Sequence, residues 1–237
     1  MESKKNTALL LYVILSGIFI SCLITCNLIF LKFFNLEINF LNFFDLHSSS
    51  CSMLGMEISY LELSFIQSVG LLAYPITFLI TDVISEIYGQ KKANFVVISG
   101  VISSIIILGI MYLAQIVPAD ANSPVDDKTF KLVFGDFGVA MAASLFTYLI
   151  CQLIDIRIFH FWKKVTKGKH LWIRNNLSTI FSQCIDTFLI LYLLMILSDF
   201  PENWLELKNL FINGFLFKIC VAIIDTPIIY LCVIIIR

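Results

Sequence analysis

Charge is what this chain has least of. Only 14% of its 237 residues are Asp, Glu, Lys or Arg, whereas 59% are apolar or aromatic. A soluble globular domain carries about a quarter charged and about half apolar residues. Glycine and proline are also few, 10 and 5 against 22 Phe, which excludes collagenous and low-complexity disordered chains. The three histidines, His47, His160 and His170, are scattered, and the seven cysteines contain no Cys-x-x-Cys pair. Cys22, Cys26, Cys151, Cys184, Cys220 and Cys232 fall inside apolar runs and Cys51 in a loop. They read as small apolar filler, with neither a disulfide framework nor a metal site.

A formal net charge of −1 gives no basic field to attract nucleic acid. Enzyme motifs are missing too. There is no Gly-rich loop ending in Gly-Lys-Ser/Thr and no His-Glu-x-x-His. Phe134-Gly135-Asp136 comes near the Gly-x-Gly-Asp of an intramembrane aspartyl protease, but Val133 stands where the first glycine is needed. These absences point to a carrier with no cofactor, and away from an enzyme.

What is present is apolar length. Mean hydropathy is +0.92, and six stretches, at about 8–31, 63–88, 93–117, 137–156, 176–197 and 210–236, can each cross a hydrocarbon core about 30 Å thick. Each is far longer than a buried strand, so each reads as a helix. The expected fold is all-α: one polytopic domain, 1–237, with six transmembrane helices in a lipid bilayer. The first stretch is too long for a cleavable signal peptide.

The loops fix an expected orientation. Lys4, Lys5, Lys91, Lys92, Arg157, Lys163, Lys164, Lys167, Lys169, Arg174 and Arg237 all lie in alternate connecting segments, against Lys32, Lys128, Lys131 and Lys208 on the other side. The positive-inside rule therefore places both termini in the cytoplasm. Outside, the segment from Phe33 to Glu62 mixes Phe and Leu with acids around a polar patch, His47 to Ser52. It reads as an interfacial helix or hairpin with a packing role. The loop Pro118 to Lys131 is acidic, with a turn around Asn122-Ser123-Pro124. In the first span, Gly17-x3-Ser21-x3-Thr25 is a small-residue ridge suited to packing in the bundle or to a homodimer.

Ionisable groups at membrane depth are expensive unless paired or hydrated, so each is a functional candidate. Here they are Asp82, Glu86, Asp136, Asp155, Asp186, Lys218 and Asp225. Asp82 and Glu86 stand one turn apart on one helix face, in a helix that Pro75 is expected to kink. Their alternative partners are Lys91 and Lys92. Thr179, Ser182, Gln183 and Asp186 follow i, i+3, i+4, i+7, a polar stripe on an apolar helix. A weaker seam runs through Ser144, Tyr148, Cys151 or Gln152, and Asp155. Lys218 and Asp225 share a face two turns apart, and Lys218 is expected to pair with Asp186 or Asp225. Carboxylates, amides and aromatic rings suit a guanine-like edge; an acid-rich cavity equally suits an amine, and composition does not choose.

Two blocks carry a resemblance. Tyr74-Pro75-Ile76-Thr77-Phe78-Leu79-Ile80-Thr81-Asp82-Val83-Ile84-Ser85-Glu86-Ile87-Tyr88-Gly89 resembles the signature of the queuosine precursor transporters, in the vitamin uptake transporter group. The second block is Trp172-Ile173-Arg174-Asn175-Asn176-Leu177-Ser178-Thr179, followed by Ser182-Gln183 and Asp186-Thr187, with a weaker third at Lys218, Asp225-Thr226-Pro227 and Tyr230. The resemblance implies import of a 7-deazaguanine (preQ0, preQ1 or queuine) across a bacterial inner membrane for salvage into tRNA modification. It implies Asp82, Glu86, Arg174, Asn175, Ser178, Thr179, Gln183, Asp186, Lys218 and Asp225 as substrate-binding candidates. Asp186 and Gln183 would read the base edge, Asp82 and Glu86 would supply acceptors or a proton, and the 162–174 segment would close the cytoplasmic side. The long segment after the first span departs from the family. The alternative is a substrate-binding membrane subunit of an ATP-driven uptake system.

Overall fold

The computed structural model describes residues 2–30, 32–39, 62–120, 122–134, 138–197 and 201–236. The patch at His47 to Ser52, Cys51 and Asp136 lie outside them. Six helices are long and apolar enough to cross a membrane: Asn6–Leu28, Val69–Ile87, Gln90–Ile116, Met141–Val165, Leu171–Leu197 and Trp204–Ile236. The architecture is helical, as composition required, with one two-stranded addition.

Helix α1 (Glu2–Leu28) buries Phe19, Leu23 and Cys26, a stripe of i, i+4, i+7, and exposes Leu9, Leu10, Val13, Ile14 and Ile18. Such exposure would be a liability in water; in a bilayer it is the solvated face. Strand β1 (Phe33–Asn39) then pairs antiparallel with β2 (Glu62–Ser68), Phe33 opposite Ser68. Of the two readings of that segment, the described part is a hairpin ribbon.

The start of the second span needs correcting. Residues 63–68 belong to strand β2, and a 3-10 turn, Val69–Leu72, precedes helix α2 (Tyr74–Ile87). Hydropathy is blind to this, because the run from Leu63 to Thr81 is uncharged through strand, turn and helix. Pro75 consequently stands in the first turn of α2, where its missing N–H has no helical partner to lose. The expected kink is absent for that reason. Ser68 fixes the entry: its Oγ donates to the Phe30 carbonyl at 2.5 Å and accepts from Gly70 N at 3.2 Å, while Val69 N donates to Lys32 O at 2.7 Å.

Helix α2 is short, about 21 Å at 1.5 Å per residue, and it is the axis of the bundle. Thr77, Phe78, Ile80, Thr81, Asp82, Val83, Ile84, Ser85 and Glu86 are all buried, because α2 packs on helices to every side. After Tyr88 the chain reverses at Gly89, whose φ of 86° is open to glycine. Helix α3 (Gln90–Ile116) presents Ala93, Val96, Val97, Gly100 and Ser104 inward and Ile102, Ile105, Ile106 and Ile110 outward. The loop expected at 118–131 ends in a short helix, α4 (Asp127–Phe134). Asp126 Oδ1 accepts from Thr129 N at 3.0 Å, and the Thr129 hydroxyl and amide hold its carboxyl below the ordinary range.

Helices α5 (Gly138–Val165) and α6 (Leu171–Leu197) form the most extensive helix pair, and α7 (Trp204–Ile236) packs on α6 and α2. Contacts define the two ends of the bundle. At the basic end, Tyr88 Oη donates to Ala8 O at 2.8 Å, Lys163 reaches Glu86, and Trp172 N donates to Tyr230 Oη at 3.2 Å. At the other end lie the ribbon and α4, the latter tied to α3 by Gln115 Nε2 donating to Phe134 O at 2.7 Å.

Gly70 is where α1 and the 3-10 turn touch: an added Cβ would stand 2.6 Å from Cys26 O, a backbone atom. At Gly100 the nearest atom, 2.7 Å away, is Cε1 of the Phe19 ring, which can swing aside. Gly70→Ala is therefore expected to destabilise by about 1–3 kcal/mol and Gly100→Ala by less. Thermal unfolding of the detergent-solubilised protein checks the order, and a larger loss at Gly100 would contradict this packing.

Candidate functional site

Helices α2, α5, α6 and α7 turn polar side chains toward one another at three levels along α2. The first is set by Tyr74, at the start of α2. Its hydroxyl donates to Asp186 Oδ1 at 2.9 Å, and Lys218 Nζ donates to Asp186 Oδ2 at 2.5 Å. Lys218 Nζ also stands 5.3 Å from the centroid of the Tyr74 ring, a cation–π distance. Of the two partners open to Lys218 from the sequence, the structure selects Asp186. With side chains 11% and 7% exposed, this pair neutralises two charges that would each be costly alone at membrane depth.

Beside this pair lies a cleft between α2, α6 and α7. Tyr74, Phe78, Phe217 and Leu71 supply its apolar wall, and Thr179, Gln183, Lys218 and Asp225 its polar one. Counting its open mouth, it holds about 320 Å³ free of protein atoms. Gln183 is 4% exposed, and its Oε1 accepts no hydrogen bond among the described residues. A buried amide oxygen without a donor is unfavourable unless a ligand or water completes it.

The second level is a polar seam. Gln152 Nε2 lies 3.1 Å from Thr81 Oγ1 and 3.2 Å from Tyr148 Oη. Ser182 Oγ donates to Asp155 Oδ1 at 2.9 Å. The Asp82 and Asp155 carboxyls, 1% and 0% exposed, are electrostatic neighbours, with Ser178 beside Asp155. Asp82 Oδ1 and Asp155 Oδ2 accept from no donor among the described residues.

The third level closes the basic end. Glu86 Oε2 lies 2.7 Å from Arg174 Nη2 and 2.9 Å from Lys163 Nζ, and Lys163 also donates to Glu86 O at 3.0 Å. The Arg174 guanidinium lies 5.5 Å from the Phe159 ring centroid. Asn175 is buried one residue further on. Lys91 and Lys92 are not the partners of Glu86: Lys92 Nζ sits 5.0 and 5.2 Å from the ring centroids of Tyr12 and Tyr88. Among the described residues no three His, Cys, Asp or Glu side chains converge as a metal site.

The ten candidates thus separate by level. Thr179, Gln183, Lys218 and Asp225 line the cleft, with Asp186 behind Lys218. Asp82 and Ser178 belong to the seam, and Glu86, Arg174 and Asn175 to the basic end. Asp82 and Glu86 share a face, as their spacing requires, but engage different partners. Sequence reasoning left out Tyr74, Phe78 and Phe217 as cleft walls and Lys163 as a partner of Glu86. Tyr74 and Phe78 did carry a signal, four residues apart on a helix face that Thr77 and Thr81 also border.

Comparison with known sequences follows these boundaries. Residues 68–232 match the family described as "Putative vitamin uptake transporter", from the 3-10 turn into α7. The chain belongs to this family. Every candidate residue lies within the match, and the ribbon strand β1 and α1 lie outside it. The chain is 28% identical over 165 residues to a "Probable queuosine precursor transporter" of Bacillus subtilis (strain 168), covering 69% of this chain and 70% of that one. It is 25% identical over 166 residues to a "Probable queuosine precursor transporter" of Haemophilus influenzae (strain ATCC 51907 / DSM 11121 / KW20 / Rd), covering 69% and 66%. No solved structure matches.

The ion triad at the basic end gives a direct test of its own role. Glu86→Gln leaves Arg174, 2% exposed, without its anion, and the expected loss is about 3–5 kcal/mol. Lys163→Met removes a cation whose side chain is 28% exposed, so its loss is much smaller. Thermal midpoints of the two variants in detergent should differ in that order, and equal midpoints would contradict a buried Glu86–Arg174 pair.

Proposed function

We propose that this chain imports queuosine precursors, 7-deazaguanines such as preQ0, preQ1 or queuine, across a bacterial inner membrane for tRNA modification. The names of the two relatives supply the substrate class. The structural observation that supports it is the unpartnered Gln183 amide oxygen, buried in a cleft walled by Tyr74, Phe78 and Phe217. A side-chain amide offers an acceptor and donors together, which matches the N–H and C=O edge of a guanine-like ring, and the aromatic walls suit its faces.

The geometry redistributes the roles implied by the resemblance. Asp186 is engaged by Tyr74 and Lys218, so in this reading it positions the cleft wall, while Gln183 reads the ring. The basic end faces the cytoplasm, with both termini there, by the positive-inside rule. In this state the cleft borders the 3-10 turn at Leu71, and Glu86, Arg174 and Lys163 bar the cytoplasmic side. Import then requires that ion triad to part as the Tyr74 end closes, one gate exchanging for the other.

The test is queuosine in tRNA of a host that lacks both synthesis and uptake, given this chain and fed each base in turn. Restored queuosine is expected with at least one base, and Gln183→Ala, inserted normally, is expected to abolish it. No rescue with any base despite membrane expression, or full uptake by the variant, would overturn the reading. Uptake into liposomes by the purified chain without nucleotide separates an autonomous carrier from a subunit of an ATP-driven system.

A further inference from the structure

We propose that the cleft selects 7-deazaguanines whose 7-substituent carries a protonated amine, and that Asp225 makes that selection. The inference rests on the import reading above and goes further, to the charge of the substrate. It begins from the charges in the cleft wall. Two charged residues line it, Lys218 and Asp225. The Lys218 ammonium is already committed: it donates to Asp186 Oδ2 and lies against the Tyr74 ring face. Lys218 and Asp186 therefore cancel, and Asp225 is the charge left over.

Among the described residues no cation pairs with it. Asp225 stands two turns further along α7 than Lys218, about 10 Å of rise. The titratable groups facing it from the neighbouring helices deepen the deficit. Asp82 on α2 is within electrostatic reach, and its own neighbour on α5, Asp155, is also an acid. A half-buried carboxylate in this setting lacks the cation that would offset its desolvation.

Gln183 is the independent sign that the cleft awaits a ligand. It lines the same cleft from a different helix, is more than nine-tenths buried, and its amide oxygen accepts no hydrogen bond among the described residues. One ligand completes both groups: a flat heterocycle whose ring edge pairs with the Gln183 amide and whose cationic arm pairs with Asp225. The aminomethyl group of preQ1 and the secondary amine of queuine supply such an arm; the nitrile of preQ0 does not. A neutral substituent would leave Asp225 desolvated and unpaired, and a charge-assisted hydrogen bond favours the amine by roughly tenfold or more.

The experiment compares competitors against labelled preQ1 uptake in cells or liposomes bearing this chain. Unlabelled 7-aminomethyl-7-deazaguanine is expected to compete at about one tenth or less of the concentration needed by the 7-methyl or 7-cyano compounds. This arm needs no mutation, so it stands even if a variant fails to insert. In Asp225→Asn the ratio is expected to fall toward one, and in Asp225→Glu to recover. Equal competition by charged and neutral bases, or an undiminished ratio in Asp225→Asn, would overturn selection by Asp225 while leaving import of 7-deazaguanines standing. No uptake of any base by the wild-type chain would overturn both.

Discussion

The interior of this protein depends on one carboxylate, Asp186. It takes the Tyr74 hydroxyl on one oxygen and the Lys218 ammonium on the other, so a single group joins the start of α2, the middle of α6 and the first half of α7. Each partner needs the others. Without Asp186, Lys218 is an unpaired cation among apolar helices, and the Tyr74 hydroxyl loses its acceptor. With it, the Tyr74 ring is held edge-on to Tyr148 and tilted against Phe78, at centroid distances of 5.6 and 5.3 Å. The aromatic wall of the cleft is thus fixed by an ion pair of which Lys218 lines the cleft and Asp186 stands behind it.

That pair can sit where it does because α2 begins late. A full-length helix from residue 63 would carry its polar groups along a different part of the bundle. The ribbon and the 3-10 turn instead bring the chain in from the side, with Gly70 against the Cys26 carbonyl and Ser68 bonded to Phe30. α2 therefore starts at the depth of Asp186 and ends at the depth of Arg174. Its short length makes one helix the spine of all three polar levels, and its neighbours on α1 and α3 are apolar, through Phe19, Leu23, Val96 and Val97.

The legible part of this arrangement was whatever depends on composition and local period. Six long apolar helices followed from hydropathy, and the stripe Thr179, Ser182, Gln183, Asp186 turned inward as its 3.6-residue period demands; Ser182, Gln183 and Asp186 are all buried. What sequence could not provide was pairing between helices. Lys218 had two acids within reach by spacing, and only packing of α6 on α7 decides for Asp186. Lys163 looked like a loop cation because α5 runs further than its apolar core, to Val165, carrying that lysine back to Glu86. The strand at 62–68 was hidden because no charge separates Leu63 from the helix that follows; Pro75 was the local clue, since a proline suits a first turn better than a helix middle.

The three levels differ in how completely their charges are matched, and the middle level is the most acidic. At the basic end one carboxylate faces two cations, Arg174 and Lys163, an excess of positive charge that seals tightly. At the Asp186 level the charges balance one to one. Between them Asp82 and Asp155 face each other without a cation of their own, and Asp225 adds a third acid nearby. In a medium of low dielectric such a charge distribution cannot be indifferent to what enters. A cationic or proton-bearing guest is stabilised most at the acid-rich middle and repelled by the basic end, while the Glu86 pairing keeps that end closed. On the import reading, passage through the basic end depends on weakening the Glu86 pairing. Asp82, the acid of the middle level that α2 carries, lies one turn from Glu86 and so from the ion pair that would open.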